Sequence, residues 1–122
     1  MSVKSKKIQL QRVLSSTERD GEPQRAFFAF FNLGLIESLA NGLLSAKEAV
    51  GRFYHADNCL FVRRVLKDKT ADRIMSHGVQ LVDLFDALPA SEAQRESLHE
   101  LAAMRGLCLQ LLERGRPKRR VA

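Results

Sequence analysis

This sequence of 122 residues contains no Trp, one Tyr and only two Cys. Two Cys cannot build a disulfide framework, and the pair His55 and Cys59 has no second closely spaced pair to complete a four-ligand zinc site. The scarcity of Tyr and Trp weakens the case for an aromatic platform on which bases stack. The most apolar stretch is interrupted by Asn32, Gly34 and Glu37, so it is a poor membrane span. We therefore expect no metal, no cofactor and no membrane anchor.

Positive charge is also missing from most of the chain, although the net charge is +6. Residues 23–113 carry ten basic and eleven acidic residues, a net charge of −1. Residues 1–22 carry five basic and three acidic residues, and residues 114–122 carry five basic residues and no acid. A folded basic groove is unsupported, whereas a basic tail is possible. The first thirty residues lack a signal-peptide pattern, so we expect a cytoplasmic protein.

What the sequence does contain is a Phe-rich stretch, residues 25–44, with four of the seven Phe residues. Pro23 suits the first turn of a helix, and Asn41 and Gly42 suit its end, because both tolerate a left-handed backbone. At 100° per residue, six apolar side chains share one broad face. They are Phe28, Phe31, Leu35, Ile36, Leu39 and Leu43. The stretch is predicted to be the central helix of the fold.

Two rings do not fit that face. Phe27 and Phe30 flank Gly34 on the side that also carries Glu37. In one interpretation, the amino-terminal segment or a neighbouring helix covers these rings. In the other, they form a docking surface on which Gly34 permits close approach.

Local signals predict the next two helices. Ser45 and Glu48 have capping-box spacing, which starts a second helix that runs to about residue 54. Asp57 is predicted to cap a third helix over residues 58–66. The first and second helices should form a hairpin, because the connection between them is short.

Further along the chain, Thr70 is predicted to cap a fourth short helix that Gly78 closes. Residues 81–88 show the clearest amphipathic pattern, and Pro89 follows where a helix has to have stopped. The last helix is predicted to start at Ser91. Its apolar side is wide enough to require two packing neighbours.

These elements predict an all-α protein, a compact bundle of about five helices around the Phe-rich helix. Residues 1–22 are expected to form an arm that is partly ordered at most. Residues 23–113 are expected to form the single helical domain, and residues 114–122 a disordered basic tail.

The middle of the chain resembles a family of small bacterial proteins known only as a domain of unknown function. The resemblance covers about residues 31–89 and follows the pattern LGxIxSLxNGxLSxxEA followed by GxxLxD. It rests on Leu33-Gly34, Ser38-Leu39, Asn41-Gly42, Leu43-Ser45, Glu48-Ala49, Gly78, Leu81 and Asp83. Where the family pattern has acidic residues, this chain has Gln80 and Val82. The resemblance implies a compact helical bacterial protein without an assigned reaction.

Few residues indicate catalysis. Glu37, His77, Asp83 and Asp86 would form a polar pocket if they converged, because paired carboxylates serve acid–base chemistry when burial separates their pKa values. The alternative is that both Asp residues lie on a solvated helix face and that His77 complements a helix C-terminus.

A non-catalytic protein–protein interaction module is the leading functional hypothesis, of immunity or adaptor type. Its surface would include Phe27, Phe30 and Gly34, and a homodimer is one form of it. The alternative is a nucleic-acid-associated accessory protein that acts through its basic ends. The candidate phosphate contacts are Arg116, Lys118, Arg119 and Arg120. An enzyme that uses the polar pocket is the third hypothesis.

Overall fold

The computed structural model describes residues 7–15 and 21–114, and this part of the chain forms helices and turns with no strand. The predicted all-α bundle is therefore confirmed. The helices are α1 (Leu10–Leu14), α2 (Gly21–Ala40), α3 (Ala46–Arg52), α4 (Ala56–Phe61), α5 (Lys69–Ala87) and α6 (Ala90–Arg114). A π-helical segment, Val62–Leu66, continues α4.

The Phe-rich stretch is one helix, α2, and it ends where the sequence predicted. Gly42 adopts a positive φ of 75°, which an L side chain would disfavour. Phe28 and Ile36 are buried on its inner face, as expected. Leu43 was expected on that face too, but it is 78% exposed. The expectation is wrong because α2 stops at Ala40, so Leu43 no longer follows the helical register.

The predicted capping box starts α3. The Ser45 hydroxyl accepts a hydrogen bond from the Glu48 N–H (3.0 Å), and the Glu48 carboxylate accepts one from the Ser45 N–H (2.9 Å). The Ser45 hydrogen bond also lowers the pKa of the Glu48 carboxyl. After α3, Phe53 and Tyr54 enter the core, where their rings pack edge to face at 5.1 Å.

The start of α4 differs from the prediction. Its N-cap is His55, and Asp57 lies inside the first turn. The π-helical segment that follows ends at Lys67, which adopts a left-handed backbone (φ 50°). Lys67 is directly followed by Asp68, the N-cap of α5.

Helix α5 is continuous, so the prediction of a short fourth helix that Gly78 closes is wrong. Asp68, not Thr70, caps α5, and its carboxylate accepts a hydrogen bond from the Ala71 N–H (3.0 Å). Gly78 lies within the helix and is buried. A Cβ at this position would lie within 2.6 Å of three atoms of the Tyr54 ring. Gly78 therefore makes room for a ring and does not terminate a helix.

Helix α6 packs against both α5 and α2, as its wide apolar side predicted. It begins at Ala90, so Ser91 lies inside it and is not its cap; Pro89 accepts the first backbone hydrogen bond, from the Ala93 N–H. The carboxylate of Asp68 contacts Arg25 near the start of α2 and Arg114 at the end of α6. Since the start of one helix and the end of the other meet the same side chain, α2 and α6 are antiparallel.

Within the predicted amino-terminal arm, α1 is packed against α4. Leu10 and Leu14 are fully buried. The Asn58 carboxamide accepts a hydrogen bond from the Leu10 N–H (2.9 Å) and donates to the Ile8 carbonyl (2.9 Å). This buried side chain joins the arm to the domain.

Candidate functional site

The sequence left open whether the rings of Phe27 and Phe30 are covered, and both rings are exposed. Phe27 is 40% and Phe30 is 63% exposed, so the interpretation in which a neighbouring element covers both of them is wrong. Gly34 lies one turn beyond Phe30 on the same side of α2. Apart from the adjoining residues and backbone of α2 itself, no heavy atom lies within 4 Å of the place where a Gly34 Cβ would stand. The outer side of α2 therefore presents two rings and an uncovered stretch of backbone.

Helix α6 extends this surface. Arg105 reaches Glu37 across the groove between the helices, with 4.0 Å between its Nη2 and the Glu37 Oε1. Ala102 and Leu109 lie one turn before and after Arg105 on the same side of α6, and Leu109 is 51% exposed. We call these residues the α2–α6 face. It consists of Phe27, Phe30, Gly34, Glu37, Ala102, Arg105 and Leu109.

The charges of the α2–α6 face cancel. Glu37 is its one acid and Arg105 its one base. Their side chains are 70% and 44% exposed, so water screens the pair and the contact contributes little to stability. Asn41 also donates a hydrogen bond to the Glu37 carboxylate (3.0 Å). The face is thus apolar at its rings and electrically neutral overall.

The predicted polar pocket does not form. Glu37 faces Arg105, whereas His77 faces α6, with its Nδ1 2.5 Å from the Glu100 Oε1. Asp83 and Asp86 are exposed on α5. Asp86 follows His77 by nine residues, about 13 Å along a helix. His77 lies in mid-helix and not at a C-terminus, so the explanation by the helix dipole is wrong as well.

The buried reactive groups have structural surroundings. Burial raises the pKa of the Cys108 thiol to about 12, so at neutral pH it is not a thiolate nucleophile. The Tyr54 hydroxyl donates to the Asn32 carboxamide (2.7 Å), and burial raises the Tyr54 pKa well above its usual value. Among the described residues, no three His, Cys, Asp or Glu side chains are grouped to hold a metal ion.

A groove of about 380 Å³ lies at the end of the bundle where α2 stops and α6 starts. Its main apolar lining comes from Leu39, Leu44, Leu81, Phe85, Leu98 and Leu101. Lys47 and Asp86 lie at its polar part, so Asp86 alone among the four predicted pocket residues reaches it. With one cation and one carboxylate, the groove favours neither an anion nor a cation.

Sequence reasoning missed the α6 half of the α2–α6 face. Leu109 lies outside the main apolar side of α6, and such an isolated apolar residue was the available signal. Arg105 gave no signal, because its position beside Glu37 depends on the register between two helices. The candidate phosphate contacts Arg116, Lys118, Arg119 and Arg120 lie outside the described residues.

In the described part of the chain, no helix combines the length and apolarity needed to cross a bilayer. Comparisons with protein-family models, with curated proteins and with solved structures find no match to this chain. The resemblance of residues 31–89 to a bacterial family therefore stays a prediction.

Proposed function

We propose that this protein is a non-catalytic protein–protein interaction module that binds its partner through the α2–α6 face. The observation that carries the proposal is the exposure of the Phe30 ring, 63%, on a helix whose other side is buried. Large aromatic side chains are favoured anchors at protein interfaces. Isolated apolar residues that are exposed elsewhere are normal on a protein surface and do not by themselves indicate an interface. Phe27 and Leu109 add apolar area around this anchor.

The chemistry of the described residues supports a role without catalysis. Glu37 and His77 contact different partners, Arg105 and Glu100, so the predicted pocket does not form, and Cys108 is protonated at neutral pH. An immunity or adaptor protein is the kind of small bacterial module that acts through such a surface. In either role, binding is the whole activity.

Site-specific photo-crosslinking in producing cells tests this proposal. A photoreactive amino acid at Phe30 is expected to capture a defined protein, because Phe30 is the more exposed of the two rings on the α2–α6 face. The same amino acid at Leu60, which is 39% exposed on α4, is the matched control. The captured protein is then identified and its affinity for the purified chain is measured.

In that binding assay, Phe30→Asp is expected to weaken the affinity by roughly tenfold or more, since an interface anchor contributes at least this much. Leu60→Asp should leave the affinity unchanged. Equal crosslinking at both positions, or equal affinities of both variants, would contradict the proposed function.

The excess of basic residues in the tail favours a second candidate, a nucleic-acid-associated accessory protein. In the described part, Arg63 pairs with Asp72 and Arg114 with Asp68, so the proposal depends on the tail. Removal of residues 115–122, which spares the Arg114 contact, should abolish duplex binding. Before removal, the four cations of the tail would give a plot of log K against log salt concentration a slope no steeper than about −3.6.

Fluorescence anisotropy with a labelled duplex measures the affinity and its dependence on salt. Binding that survives the truncation excludes this mechanism.

A further inference from the structure

We infer that the partner on the α2–α6 face is a second copy of this chain, so that the helix pairs of two copies form a four-helix bundle. The inference rests on the proposed interaction function, since it names the occupant of the same face. The two-fold axis would run along the groove between α2 and α6, parallel to the helices. In this arrangement, α2 of each copy lies against α6 of the other.

The charges of the face fit a second copy. Glu37 and Arg105 lie at the same height along the antiparallel helices, because they contact each other within one chain. Rotation about an axis along the groove keeps that height and exchanges the two helices. Glu37 of each copy would therefore meet Arg105 of the other. Both side chains are more than two fifths exposed, so they are accessible for this exchange.

The shape of the face fits as well. Gly34 lies three residues before Glu37, about 4.5 Å along α2, and Leu109 lies four residues after Arg105, about 6 Å along α6. These displacements have the same direction because the helices are antiparallel. Leu109 of one copy would therefore pack on the open backbone at Gly34 of the other. Phe30 lies seven residues before Glu37, and Leu112 lies seven residues after Arg105. Phe30 of one copy would therefore lie opposite Leu112 of the other.

The size of the face approaches that of a specific dimer interface. A 20-residue helix is about 30 Å long, and two neighbouring helices are about 20 Å wide with their side chains. The face thus has a projected area of roughly 600 Å², and its side chains enlarge the accessible area. Specific interfaces bury about 800 Å² of accessible surface on each partner.

Charge reversal in the full chain tests this geometry. The wild-type chain is expected to sediment as a dimer at concentrations where Glu37→Arg and Arg105→Glu each sediment as monomers. Each single variant places like charges across both symmetry-related contacts, which should weaken the dimer by roughly tenfold or more. The double variant restores opposite charges and should recover the wild-type dimer. Sedimentation velocity at several concentrations measures these equilibria.

The matched control is Arg64→Glu, which changes the net charge by the same amount at an exposed position on another side of the bundle. It should remain a dimer, and circular dichroism should show all variants to be helical. If the single variants sediment like wild type, or if the double variant stays monomeric, the inferred geometry is overturned. A monomeric wild-type chain that still crosslinks through Phe30 to a different protein would overturn the second-copy inference alone. Loss of specific crosslinking as well would overturn the proposed function.

Discussion

Gly78→Ala is expected to destabilise the fold by about 2 kcal/mol, although Ala favours a helix over Gly by about 1 kcal/mol. The added Cβ would lie within 2.6 Å of the Tyr54 Cγ and Cε1. The ring cannot retreat, because Tyr54 is 1% exposed, packs against Phe53 and donates its hydroxyl hydrogen to Asn32. Overpacking of this kind costs about 1–3 kcal/mol, with larger values when a rigid group has to move. Denaturant unfolding followed by circular dichroism measures the change.

Gly106→Ala is the matched control for this prediction. Gly106 also lies inside a long helix, α6, but no heavy atom outside the adjoining residues and backbone of α6 lies within 4 Å of its missing Cβ. Here only the helix preference acts, so we expect a gain in the free energy of unfolding of up to about 1 kcal/mol. The two substitutions should therefore have opposite signs. If Gly78→Ala stabilises the protein as Gly106→Ala does, the packing of Tyr54 on α5 is contradicted.

Asn58→Ala is expected to lower the free energy of unfolding by about 3 kcal/mol. Asn58 is 1% exposed and donates to the carbonyls of Phe53 (2.8 Å) and Ile8 (2.9 Å), while it accepts from the Leu10 N–H (2.9 Å). In the variant, the Ile8 carbonyl keeps its contact with His55 (3.1 Å). The Leu10 N–H and the Phe53 carbonyl lose the hydrogen bonds that Asn58 provides, and each unsatisfied buried group costs about 1–3 kcal/mol.

The same substitution should release α1 before the rest of the fold. Amide hydrogen exchange at Leu10 is expected to become faster by a larger factor than exchange in α6. Asn41→Ala is the control, because Asn41 is exposed and hydrogen-bonds only to Glu37 within its own helix region. Its cost should stay within about 0.5 kcal/mol. Similar costs for the two Asn variants would show that the buried hydrogen bonds do not hold α1.

Features that depend on neighbours along the chain were predictable from the sequence. The capping box of Ser45 and Glu48, the end of α2 at Asn41 and Gly42, and the break at Pro89 each involve residues within one turn. The all-α fold follows from such signals together with helical periodicity. These features depend on local chemistry, so a single sequence is sufficient to predict them.

Features that depend on contacts between distant residues were not predictable. A Gly residue is typical of a helix end, but the role of Gly78 comes from its contact with Tyr54, which lies 24 positions earlier. For the candidate site, the helical wheel placed Phe27 and Phe30 on the outer side of α2, and left open whether another element covers them. The contribution of Arg105 required the register between α2 and α6, which no local pattern contains.

The two contacts between α5 and α6 also limit how the length of α6 can change. Glu100 meets His77, and Arg114 meets Asp68, with about four helical turns between them. One inserted residue between these positions would rotate Arg114 by about 100° and shift it by about 1.5 Å, away from Asp68. Between Glu100 and Arg114, substitution of an exposed side chain leaves both attachments in place, whereas an insertion or a deletion breaks one of them.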